Sequence, residues 1–78
     1  MIEMDDKAFQ KKLGQVIRSF REEKGVTQQE LGYRCDFEKT AISRIEAGNV
    51  NITVKTLRKI ARALDVPMGD LIAFDHDK

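Results

Sequence analysis

At 78 residues, with 41% hydrophobic and 35% charged side chains, the chain can build one compact core and is too short for a second. No apolar run approaches the ~20 residues that a bilayer requires, and the acidic start lacks the basic region and apolar stretch of a signal peptide. One cytoplasmic domain over residues 1–78 is expected, with its core within residues 7–74 and an acidic tail at 75–78.

In chain order, a first helix is predicted over residues 7–24. Asp5 or Asp6 suits its N-cap, and Gly25 can take the left-handed conformation that ends a helix. Phe9, Leu13, Ile17 and Phe20 recur at helical steps and line one face. Thr27 followed by Glu30 reads as a capping box for a second helix over 28–35, with Val26 and Leu31 at the spacing of a hydrophobic staple. Phe37 and Ile42 repeat that spacing where a third helix, over 39–47, begins; Gly48 stops it. Thr53 caps a fourth helix with Ile52 and Leu57 as its staple and Leu57, Ile60, Ala61 and Leu64 as its apolar face. Pro67 opens a short fifth helix, where a missing N–H costs nothing, and Val66 and Leu71 form the last staple pair. No segment alternates with period two, so the fold class is all-α. Helices this short need tertiary packing. The predicted core therefore draws on all five, including Ile42, Ile45 and Leu71 as well as Phe20, Phe37, Ile52 and Val66.

The formal net charge is only +1, but it is unevenly spread. Residues 1–37 balance seven basic against seven acidic side chains. Residues 38–62 hold six basic side chains (Lys39, Arg44, Lys55, Arg58, Lys59, Arg62) against Glu38 and Glu46, a surplus of four. Residues 63–78 hold Lys78 against four aspartates. A basic stretch next to tightly turned helices is the electrostatic footprint of a DNA face, although a solvated basic helix gives the same count. Cys35 is the only cysteine and reads as a buried apolar filler. His76, between Asp75 and Asp77, reads as a solvated tail residue. Neither a metal site nor a nucleophile–base constellation can be assembled, so no cofactor and no catalysis are expected.

Taken together, LGQVIRSFREEKGVTQQELG, AISRIEAG and TLRKIARALDVPMGDL resemble the running pattern of the Cro/C1-type, or XRE-like, helix-turn-helix regulators over about residues 13–74. The resemblance implies a lambda-repressor-like domain of five helices, with the helix-turn-helix at helices 2 and 3, that binds duplex DNA as a dimer. It implies that the third helix reads bases through Lys39, Thr40, Ser43 and Arg44, whose donors and methyl group suit guanine and thymine edges. It implies phosphate contacts from Gln28, Asn49 and Asn51, and an Arg21–Glu46 ion pair tying the first helix to the third, with Arg21 within reach of a phosphate as well. Two positions depart from the family pattern in the motif itself. Asp36 stands where the turn usually has glycine, and Glu38 stands where the third helix usually has a Ser or Thr cap. Glu38 then either caps the helix or accepts from a cytosine amine. Asp65 likewise replaces the glycine that ends the fourth helix.

A reader of this size needs a partner copy to cover a near-palindromic operator. Met68, Leu71, Ile72 and Phe74 on the fifth helix are the expected homodimer contacts. The expected function is transcription regulation, as a repressor or activator of the restriction–modification controller or phage-repressor kind. The alternative is a protein-interaction module, or an antitoxin-like partner of a separate toxin, on the same fold.

Overall fold

The computed structural model describes residues 4–76, and side chains through Phe74. Its helices are α1 (Asp6–Glu23), α2 (Gln28–Cys35), α3 (Lys39–Glu46), α4 (Val54–Leu64) and α5 (Met68–Leu71), followed by a 3-10 turn at Ala73–His76. No strand occurs among the described residues. The all-α class and five-helix order match the sequence reading, and the boundaries move by a residue or two. Asp5 is the N-cap of α1, accepting from the Ala8 N–H at 2.8 Å. Pro67 is the N-cap of α5 and not its first helical residue.

One device repeats at the helix joints. Each of α1 to α4 ends in a left-handed residue: Gly25, Asp36, Gly48 and Asp65. The N–H of the next residue then bonds back across the last turn: Val26 to the Arg21 carbonyl, Phe37 to Gly32, Asn49 to Arg44 and Val66 to Ala61. These are Schellman closures. In three of the four, that next residue (Val26, Phe37 or Val66) is also the apolar residue just before the following N-cap. One residue therefore closes one helix with its backbone N–H and sits at the staple position of the next with its side chain, which is why these turns are so short. After α3 the corresponding residue is the polar Asn49, and a longer segment runs to α4. Asp36 at φ 63° and Asp65 at φ 58° hold the left-handed geometry that their positions require, one that Asp tolerates better than most residues.

Ile17, Leu31, Ile42, Ile60, Leu64 and Leu71 are fully buried at the centre, and Cys35 joins them as expected. Phe20, Phe37, Ile52 and Val66 are only half-buried and pack against the rim of the core. Sequence spacing identifies them as apolar packing residues but does not give their depth. Phe37, Ile52 and Val66 hold the same place before an N-cap as Val26, which is buried, so that position alone does not set depth. Tails at residues 1–3 and 77–78 lie outside the described residues, as do the side chains of Asp75 and His76, and with them the sequence readings made there.

Backbone contact fixes α1 against the end of α3. A Cβ added at Gly14 would lie 2.5 Å from the carbonyl oxygens of both Ile45 and Glu46, a separation that real Cβ atoms do not tolerate. At Gly48 the Cβ would sit 2.6 Å from Lys11 Cα, and the φ of +79° also requires glycine. Gly14→Ala should therefore force α1 off α3 and destabilise the fold by about 1–3 kcal/mol. Urea denaturation checks this, and an unchanged midpoint would contradict it.

Candidate nucleic-acid interface

The centre of the site is a charged pair inside the protein. Arg21 near the end of α1 and Glu46 at the end of α3 are 8% and 7% exposed, yet both carry charge. Arg21 Nε donates to Glu46 Oε2 at 2.6 Å, and an Arg21 terminal nitrogen donates to Oε1 at 3.1 Å, the two-pronged geometry of a strong guanidinium–carboxylate pair. A third donor reaches the Val26 carbonyl at 2.8 Å, and Gln28 Nε2 donates to Glu46 Oε1 at 3.0 Å. No buried side-chain polar atom is left unpartnered among the described residues. The hydrogen bond to Glu46 raises the Arg21 pKa above its ordinary value, burial opposes it, and the Glu46 and Glu22 charges add to the rise.

This geometry bears on two of the roles read from the sequence. Arg21 is buried with three of its five donors engaged, so its bonds within the chain brace the site from behind. Gln28 starts α2 as expected, but one of its two amide N–H groups is directed at Glu46. Its second N–H and the free backbone N–H groups of the helix start remain for an outer contact. The pair thus joins α1, the α1–α2 turn, the start of α2 and the end of α3 at one point.

Lys39, Thr40, Ser43 and Arg44 are all exposed along α3. On the opposite face Ile42 and Ile45 are buried and lock the helix to the core. None of the four exposed side chains has a hydrogen bond or ion pair within the chain among the described residues. Arg44 borders a cleft of about 270 Å³ that runs between α3 and α4, lined also by Phe37, Ala41, Asn51 and Thr53. Asn49 and Asn51 are both exposed. The Asn49 backbone closes α3 while its side chain faces outward, so it serves the turn and remains available to a ligand. Glu38 occupies the N-cap position of α3 but makes no side-chain cap bond, which excludes the simple capping role.

Glu46 is buried in a neutral pair with Arg21, which leaves Glu38 as the one exposed carboxylate among residues 38–62, a stretch that also holds six basic side chains. Lys59 is partly committed, with its Nζ 5.2 Å from the centre of the Phe37 ring, a cation–π contact that the sequence pattern did not reveal. Arg34 was also missed: it crosses from α2 to donate to the Ala63 carbonyl near the end of α4 at 2.9 Å. At the far end, Leu71 is fully buried in the chain's own core and offers no surface to a partner copy. Met68, Ile72 and Phe74 are half-buried, and the Phe74 ring packs on Phe9 with centroids 5.2 Å apart.

Two outcomes follow. Glu46→Ala should cost about 3–5 kcal/mol, because it strands a buried guanidinium; the double variant Arg21→Met/Glu46→Leu should recover most of that loss in urea unfolding. A double variant no more stable than the single one would contradict the pairing. Burial pushes the Cys35 thiol up, against a smaller opposing effect of Lys59. With little thiolate and no access, Cys35 should react with iodoacetamide far more slowly in the native protein than in urea; equal rates would contradict its burial.

Comparison with known proteins places this geometry. The helix-turn-helix family matches residues 17–71. Control protein C.BamHI of Bacillus amyloliquefaciens is 39% identical over 62 residues, spanning 78% of this chain and 76% of that protein. The crystal structure of the restriction–modification controller protein C.AhdI from Aeromonas hydrophila gives a TM-score of 0.83 at 29% identity, covering 87% of this chain and 99% of that one. The clp gene regulator ClgR from C. glutamicum gives 0.81 at 29% identity over 83% and 84% of the two chains. The chain belongs to the helix-turn-helix family of Cro/C1-type, XRE-like regulators, with α2 and α3 as its helix-turn-helix.

Proposed function

We propose that this protein regulates transcription by sequence-specific binding to duplex DNA, with α3 in the major groove. The observation that carries the reading is the division of α3 into a locked face and an open one. Ile42, Ile45 and Glu46 hold the helix to the core, while Lys39, Thr40, Ser43 and Arg44 face outward with no partner in the chain. Arg44 can bond guanine O6 and N7 in a two-pronged fashion, and Lys39 donates there as a point charge. Thr40 and Ser43 add hydroxyls, and Thr40 a methyl group for thymine. Gln28, Asn49 and Asn51 approach the phosphates and fix the register.

The protein acts as a non-enzymatic single domain over residues 1–78 in the cytoplasm, and reads a near-palindromic site as a homodimer. Half-sites one helical turn, ~34 Å, apart require two copies. Met68, Ile72 and Phe74 supply the two-fold contact, because their apolar surface is only half covered within the chain. The names of C.BamHI and C.AhdI support the narrower reading of a controller of a restriction–modification system.

Binding should weaken steeply with salt. A protein making 6–10 phosphate contacts loses about 10³–10⁵ in affinity between 50 and 200 mM salt. Absence of binding to mixed genomic duplex even at low salt would instead support an interaction module. Arg44→Ala should relax preference at one operator position by roughly 1–3 kcal/mol, whereas Asn51→Ala should weaken all sequences alike. Equal, sequence-independent losses in a competition gel-shift assay would reduce Arg44 to a phosphate contact.

A further inference from the structure

Glu38 is the one acidic side chain at the reading edge, and it has no function inside the protein. It sits at the N-cap position of α3 with extended backbone, φ −79° and ψ 157°, yet its carboxylate caps nothing. No ion pair holds it among the described residues, and it is exposed. Its position is nevertheless rigid. Phe37 N–H bonds to the Gly32 carbonyl at 2.7 Å, and the Glu38 carbonyl accepts from both Ala41 and Ile42. Gly32 on α2 lets the Phe37–Glu38 backbone approach so closely that a Cβ there would meet the Phe37 oxygen at 2.7 Å. The carboxylate is therefore presented from a fixed point immediately before Lys39, on the helix end that enters the groove.

A carboxylate at that place gains from DNA contact only against a donor, because phosphate oxygens and most base-edge atoms repel it. Major-groove donors are the exocyclic amines of cytosine and adenine. Guanine and thymine offer acceptors, and adenine sets its N7 acceptor beside its amine, so that a second carboxylate oxygen is repelled. Cytosine has no acceptor next to its N4 amine on that edge. We infer that Glu38 is a specificity-determining residue that selects cytosine at one operator position by accepting from its N4 amine. Lys39, a donor beside an acceptor, suits guanine at the paired or adjacent position. This inference rests on the DNA-reading proposal and assigns a base to one of its positions.

The test is selection of bound sequences from a randomised duplex pool, using the full chain and its Glu38→Ala and Glu38→Gln variants, with affinities then measured on single-base variants of the recovered site. The wild type should recover a motif with one cytosine that is preferred by about tenfold over the other bases. Glu38→Ala should lose that preference alone, keep the other positions, and bind mixed duplex more tightly through removal of a negative charge. Glu38→Gln, which can donate as well as accept, should admit adenine at the same position. A Glu38→Ala motif unchanged at every position would overturn the inference and leave the DNA reader standing. Recovery of no motif by the wild type would overturn both. Circular dichroism of each variant confirms that a lost preference is not lost folding.

Discussion

The pair between Arg21 and Glu46 is the constraint on which the rest of this structure depends. A guanidinium and a carboxylate withdrawn from water are costly unless each is fully bonded. Here the remaining capacity is taken up by the Val26 carbonyl and the Gln28 amide. The same point is where α1 and α3 come into backbone contact at Gly14 and Gly48. Charge, hydrogen bonding and close approach thus fix one quantity, the position of the end of α3 relative to α1. An apolar contact of similar area is non-directional and would constrain the roll of the helix less tightly. A pair with two parallel bonds holds it, so the open face of α3 keeps its aim.

The second ordering device is the shared apolar residue at the joints. Val26, Phe37 and Val66 each end one helix and begin the next, which leaves little freedom in the angle between neighbours. The α3–α4 joint breaks the rule with polar Asn49 and a longer connection, and that is the joint beside the proposed DNA surface. Rigidity is placed where the core needs it, and polar, solvent-facing backbone is placed where a phosphate would be met.

Much of this was legible in the sequence, because the signals are local. Caps, staples and left-handed stops are set within a few residues of one another, so Thr27–Glu30, Gly25 and Gly48 could be read directly, while Asp36 and Asp65 stood out only through the family resemblance. The motif strings carried the helix order. Depth of burial was less legible: Phe37 and Val66 have the right spacing, but their half exposure depends on where the next loop runs. Commitments of polar and charged groups were least legible. That Arg21 faces inward, that Gln28 bonds to Glu46 and that Lys59 lies over Phe37 all depend on which helices meet, and chain spacing alone does not encode that. For Glu38 the sequence allows a cap or a base contact, and only its unengaged carboxylate excludes the cap.

The central claim is that a buried pair aims a helix at DNA and stays intact while it does so. The most direct measurement is a crystal structure of the protein on a duplex carrying its selected site. The account predicts Arg21 still bonded to Glu46 and buried, with the Lys39 and Arg44 side-chain nitrogens within hydrogen-bond distance of base edges in the major groove. A complex in which Arg21 leaves Glu46 to hold a phosphate, or in which α3 lies outside the groove, would contradict it.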